Sequence, residues 1–277
     1  MDSLLVERAG GVVTCTLNRP AKKNALTGEM WLGLTALFDE VAENRDDRVL
    51  VITGAGDGFC SGADLGNSAN DSGGGPAAAL AGMRIVGRAA LRLHELAKPT
   101  IAAVNGVAAG AGCNLALGCD LIVASDRARF SEIFSKRGLV VDFGGSWLLP
   151  RLVGMHRAKE LVLLADVIDA REAERIGLVN RVVPHGSLAA ETQALAQRLA
   201  QLPPLALAMS KRLLDQGPSV SMAEAIESEN AAQALIATSK DTAEAVRAFL
   251  EHREPTYIRT SRHSFPRDLL HVISDGS

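Results

Sequence analysis

Val49-Leu50-Val51-Ile52-Thr53 is the feature that most limits what this chain can become. It is a short, continuously apolar run rich in β-branched residues, and a strand that reads this way needs cover on both faces. It passes directly into Gly54-Ala55-Gly56-Asp57-Gly58, a loop signal. Val12–Leu17, ending at Asn18-Arg19-Pro20, reads as an earlier strand, and Thr100–Val104 and Asp120–Ala124 read as later ones. Between them Thr27 can cap a helix whose apolar residues Met30, Leu34, Leu37, Phe38 and Val41 follow helical spacing. Asn114–Leu117 reads as helix as well. Strands and helices in alternation imply crossover connections and an α/β domain. The stretch Ala69–Ala79, with Gly73-Gly74-Gly75-Pro76, reads as a mobile surface segment.

Near residue 187 the pattern changes, and from there to about 252 it is almost entirely helical, broken at Pro203-Pro204 and Gly217-Pro218. A helix over Ser221–Leu235 places Met222, Ala225, Ile226 and Ala232 partly on one face. Another over Lys240–His252 aligns Ala243, Val246 and Phe249 or Leu250. Residues 258–277 lose the periodicity and read as an exposed, poorly ordered tail. The expected organisation is therefore an α/β core over 1–190, a helical region over 191–257 and the tail, with no internal sequence repeat.

A chain of 277 residues suits one large domain, or one with a small appendage. Apolar residues make up 47% and aromatic residues only 4%, so Ala, Val, Leu and Ile must build the core. A net charge of -3 gives no broad pull toward nucleic acid or anionic lipid. No apolar run reaches the roughly 20 residues that span a bilayer, and Met1–Arg8 does not read as a signal peptide. Cys15, Cys60, Cys113 and Cys119 form no CxxC pair, and suit free thiols in a reducing cytoplasm. The histidines form no HExxH pattern, so no metal site is expected. There is no GxxxxGK[ST], no GxGxxG after a strand and no GxSxG, which leaves phosphoryl transfer, nicotinamide chemistry and serine hydrolysis without their parts.

Two Gly-rich turns follow apolar strands: Phe59-Cys60-Ser61-Gly62-Ala63-Asp64-Leu65 and Asn105–Asn114. Small residues let a ligand approach the main chain, and a turn that opens a helix leaves N–H groups unpaired. Two such turns face to face would supply two donors to one oxygen. Each turn alone can equally be a packing turn that lets a helix approach the sheet.

Ser61–Leu65 and Val104–Leu121 resemble the two oxyanion turns of the enoyl-CoA hydratase/isomerase family within the crotonase superfamily. Leu17–Pro20 with Asn24-Ala25-Leu26, Pro150–Gly154, Ala170–Ala173 and Gly177–Asn180 continue the match, which covers roughly residues 4 to 255. The resemblance implies a crotonase-like ββα spiral core, a C-terminal helical trimerisation region, an acyl-CoA substrate, no cofactor beyond the CoA in that substrate, and a homotrimer or homohexamer. It places the oxyanion donors on the N–H groups of Ala63 and Ala111. It places substrate or CoA contacts at Lys22, Ala25, Leu26, Ser61, Asp64, Leu65, Gly110, Asn114, Phe134 and Phe249. Lys22, with Lys23, is a candidate for the CoA phosphates or else a solvated surface charge. Phe249 is a cover for the acyl pocket or else a core residue.

Departures from the family pattern decide the expected reaction. Asn114 and Phe134 stand where a family hydratase has its two Glu residues, and Glu132 lies two positions before the second. Asp142, in Leu139–Gly145, resembles the single base of branches that shift double bonds or open ring epoxides of CoA thioesters. Its apolar neighbours should raise its pKa toward working pH. The alternative is that Asp142 caps the helix beginning near Gly145. The expectation is an enoyl-CoA isomerase with Asp142 as base, against two rivals: an enoyl-CoA hydratase, and an acyl-CoA-binding protein without catalysis.

Overall fold

The computed structural model describes residues 2–64, 66 and 75–257. Leu65, the segment 69–74 and the tail from 258 lie outside the described residues. The described residues form two compact units that divide between Ala200 and Gln201.

The first unit is built on two sheets. Strands β1 (Leu4–Ala9), β2 (Val12–Leu17), β3 (Val49–Gly54), β5 (Thr100–Val104), β7 (Leu121–Ser125) and β10 (Arg181–Val183) lie side by side in that order. β1 and β2 form an antiparallel hairpin, and every later neighbour is parallel. The second sheet holds β4 (Gly58–Cys60), β6 (Val107–Ala109), β8 (Arg129–Ser131) and β9 (Ile168–Asp169). The chain therefore repeats one move. A strand in the first sheet is followed by a short strand in the second and then by a helix: α2 (Gly75–His94), α3 (Ala111–Leu117) and α4 (Gly145–Val153). This repeat lives in the geometry, since the sequence shows none.

The first sheet is covered on both faces, as the apolar run in β3 requires. Helix α1 (Gly28–Glu43) begins where Thr27 Oγ1 accepts the Met30 N–H. It turns Leu34, Phe38 and Val41 into the larger core with Leu50, Ile52 and Leu93. Val49, Val51, Ile101 and Val123 form a separate layer with Leu188 and Ala196 of α7 (Leu188–Ala200). Two further α-helices, α5 (Met155–Leu164) and α6 (Ala170–Arg175), follow α4 along the chain.

One local expectation is corrected. The segment read as mobile to residue 79 is already helical from Gly75, because Pro76 sits in the first turn, where its missing N–H costs nothing, and Ala77-Ala78-Ala79 favour helix.

The second unit contains α8 (Pro204–Gln216), α9 (Met222–Ala237) and α10 (Lys240–Leu250). Ser221 and Glu224 close a capping box on α9, and Ser239 caps α10. Among the described residues no helix is long and apolar enough to cross a membrane.

Phe38 is one of the largest fully buried side chains. Phe38→Ala should lower the unfolding free energy by about 3–5 kcal/mol, read as a shifted urea midpoint.

Candidate active site

The first Gly-rich turn leaves β4 and is held against the segment that leads into α1. Leu26 donates its N–H to Gly62 O at 2.8 Å, and Asp64 donates its N–H to Leu26 O at 2.9 Å. These two bonds flank Ala63 and leave its N–H with no acceptor among the described residues. Arg19 secures the same clasp from the side chains, donating from Nη2 to Asp64 Oδ2 at 2.7 Å and from Nη1 to Ala25 O at 2.5 Å. Ser61 Oγ donates to Lys22 O.

The second turn leaves β6 and opens α3. Gly110, at φ 53°, accepts the Asn114 N–H on its carbonyl and donates its own N–H to Ser131 O. Ala111 is the first helical residue, so its N–H has no acceptor within the helix. The two turns touch. A Cβ added to Gly62 would lie 3.0 Å from Ala109 O and 3.7 Å from Ala111 N, and one added to Gly112 would be driven into the carbonyl oxygen of Cys60. The glycines are there because two backbones approach too closely for a side chain.

Behind these turns is a buried polar cluster. Asn114 is fully buried and donates from Nδ2 to Asp142 O at 3.0 Å and to Glu132 Oε2 at 3.4 Å. Asp142 stands in the loop before α4 and is partly exposed, yet its Oδ1 is buried with no hydrogen-bond partner among the described residues. Burial lifts its carboxyl to about 6. Glu132 follows β8 directly, is 2% exposed, and has an unpartnered Oε1. Burial is the main cause that lifts it to about 7; the charge of Asp142 adds to this, while hydrogen bonds with Cys113 and Asn114 act the other way.

The alternative in which Asp142 caps a helix is set aside. Helix α4 has Gly144 at its N-cap, with no side-chain cap, and Gly145 bonds to the backbone carbonyl of Asp142. Phe134 is buried, with its ring 3.6 Å from the position a Cβ would take on Gly110, so it walls the second turn. Lys22 is exposed, while Ala25 and Leu26 are buried. Lys23 is tied to Asp57 at 2.5 Å. Phe249 is 78% exposed on α10, so among the described residues it is not a core side chain. Sequence reasoning missed the Arg19–Asp64 clasp, whose partners are 45 residues apart. It weighed Glu132 for a catalytic role without committing to one, because the backbone just past a strand end decides where that side chain goes.

The family model for enoyl-CoA hydratase/isomerase matches residues 7–260. The chain belongs to that family. It is 41% identical over 260 residues to the 1,2-epoxyphenylacetyl-CoA isomerase of Escherichia coli, covering 93% of this chain and 98% of that protein. It is 36% identical over 259 residues to the crotonyl-CoA hydratase of Syntrophomonas wolfei, again covering 93% and 98%. The crystal structure of an enoyl-CoA hydratase from Bacillus anthracis superposes with a TM-score of 0.88 at 32% identity, covering 92% of this chain and 99% of that one. The ββα spiral is therefore the crotonase fold, and the chain is an enzyme of the hydratase/isomerase family.

Contact between the turns makes the geometry intolerant of even one methyl group. Gly112→Ala should cost about 1–3 kcal/mol of stability and abolish most turnover, measured by thermal melting beside a family assay.

Proposed function

We propose that this enzyme isomerises acyl-CoA thioesters, with Asp142 moving a proton from one carbon of the acyl chain to another. The observation that carries the reading is the Asp142 carboxyl, partly open, lifted toward neutrality and with an Oδ1 that has no hydrogen-bond partner among the described residues. A base of this kind can take a proton and give it back, since its affinity is close to working pH. As the C–H bond breaks, its electron pair becomes part of an enolate and charge grows on the thioester oxygen. The Ala63 and Ala111 N–H groups are suited to receive that oxygen, and comparable donors are worth about 3–4 kcal/mol each. The captured proton then returns to a different carbon, so the double bond moves and nothing else is consumed. Such acid–base chemistry calls for no cofactor beyond the CoA that the substrate carries. Ser61, Gly110, Asn114 and Phe134 would line the thioester site, and Lys22 is placed on the surface where a phosphate could meet it.

Hydration is the second reading, and some relatives bear hydratase names. It needs two groups that reach one water. Asn114 has no proton to exchange and Phe134 has no polar atom, while Glu132 is closed off from solvent. These features favour double-bond migration. A binding protein without turnover would retain CoA-thioester affinity while a panel of thioesters in deuterated water showed neither exchange nor isomerisation.

We further propose a trimer or hexamer. Met222, Val246, Phe249 and Leu250 are all more than half exposed in the single chain, and closed symmetry buries such surfaces without open ends. The exposed Phe249 would then cover a neighbouring acyl pocket. Four buried free thiols suit a cytoplasmic home.

Asp142→Asn should reduce isomerisation by at least about two orders of magnitude while thioester affinity stays nearly unchanged. A near wild-type rate would remove Asp142 as base. In the wild type, turnover should climb as pH rises through about 6, because only the ionised carboxylate accepts a proton. Light scattering should report a trimer or hexamer at micromolar concentration, and a stable, active monomer would end the assembly proposal.

A further inference from the structure

Glu132 is a second carboxyl beside the base, and the reaction described above makes no use of it. It is 2% exposed, so it cannot meet substrate directly. Its Oε2 accepts from the same Asn114 amide that holds the Asp142 carbonyl, and its Oε1 faces no donor among the described residues. An ionised carboxylate would leave that oxygen charged, buried and unpaired, which is among the most costly arrangements in a protein interior. The groups that face it are the Cys113 thiol and Asn114 amide from α3 and the Asp142 carboxyl before α4, with Cys60 of β4 behind Cys113. None of them is a cation, so no opposite charge there balances a second negative charge, and the Cys113 and Asn114 hydrogen bonds only partly offset the burial.

We propose that Glu132 is a positioning residue of this site, a buried carboxyl that keeps its proton while Asp142 works, so that the cluster holds a single negative charge. The inference rests on the reading of Asp142 as base and deepens it. With Glu132 neutral, Asp142 ionises first and captures a proton it can release again. If Glu132 loses its proton, its charge strengthens the hold of Asp142 on the captured proton, and the return step slows. The two carboxyls therefore titrate as a pair, Asp142 setting an acid limit near 6 and Glu132 an alkaline limit near 7. The same burial couples to folding. The Glu132 pKa is higher in the folded chain than its ordinary 4.5, so its contribution to stability is complete below 4.5 and is lost as pH rises through about 7.

The test uses the full-length enzyme and the isomerisation of trans-3-hexenoyl-CoA followed from acid to alkaline pH. Wild type should give a bell-shaped kcat profile. Glu132→Gln, which keeps the shape and removes the titration, should retain the acid limb, lose the alkaline limb, and stay within about threefold of wild type at the optimum. Glu132→Met should do the same if the Gln variant folds poorly. An alkaline limb unchanged in these variants, or absent from wild type, overturns the proposal. Infrared titration of the unliganded protein supplies a readout that does not depend on turnover. A protonated-carboxyl band that disappears near pH 7 in wild type and is missing from Glu132→Gln supports the assignment, and its absence from wild type at pH 6 defeats it. Failure of the base reading would show separately, as turnover that survives Asp142→Asn with the infrared result intact.

Discussion

The structure depends on the close approach of two main-chain turns that lack room for side chains between them. Gly62 lies against Ala109 and Ala111, and Gly112 lies against Cys60. The strands that precede the turns hold that contact in place. Parallel strands β3, β5 and β7 bring successive strand ends to the same edge, and the short strands β4 and β6 then pair in parallel, which fixes the turns side by side. The Leu26 ladder satisfies the backbone on either side of Ala63 and leaves its N–H open. An unbonded donor in a rigid loop costs free energy, and the sheets on either side keep the loop from collapsing to satisfy it.

Most of the fold was legible in the sequence because it follows from local chemistry. Apolar strands covered on both faces, a Thr cap and Gly–Pro breaks each act within a few residues. The turns were legible too, since Gly and Ala cluster there for a steric reason. Helix α2 was not read from the sequence, because glycine repeats outweighed the Pro-Ala-Ala-Ala run that follows Gly75. Long-range side-chain partners were not legible. Arg19 finds Asp64 and Arg8 finds Asp47 only after the strands have paired, and spacing along the chain carries no trace of either. The direction of the Glu132 side chain was not legible for a related reason: it sits one residue past β8, where neither the strand period nor the helix period applies.

The buried cluster also shows how stability and chemistry oppose one another here. Both Asp142 and Glu132 bind protons more tightly in the folded chain than in the unfolded one, so both weaken the fold as pH rises from about 4 toward 7. That loss is borne by the two apolar layers around the first sheet, and by the Arg19 clasp that secures the first turn. A side chain that relieved the loss, such as a lysine beside Glu132, would also pull the Asp142 pKa down and blunt its ability to hold a proton.

The family's fold alone does not choose between adding water and moving a double bond, because relatives named for each match the chain over nearly its whole length. The side chains at 114, 132, 134 and 142 all stand within α3 or the β8–α4 connection. These positions are not independent. A carboxylate at 114 would face Glu132 at hydrogen-bond distance with no proton donor between them, and would leave the Asp142 carbonyl without the amide that now supports it. Asn114 and Glu132 are therefore compatible with each other and with Asp142, whereas Glu at both 114 and 132 would place three acidic groups in one apolar pocket. Position 114 thus gives the cluster a donor in place of a third charge.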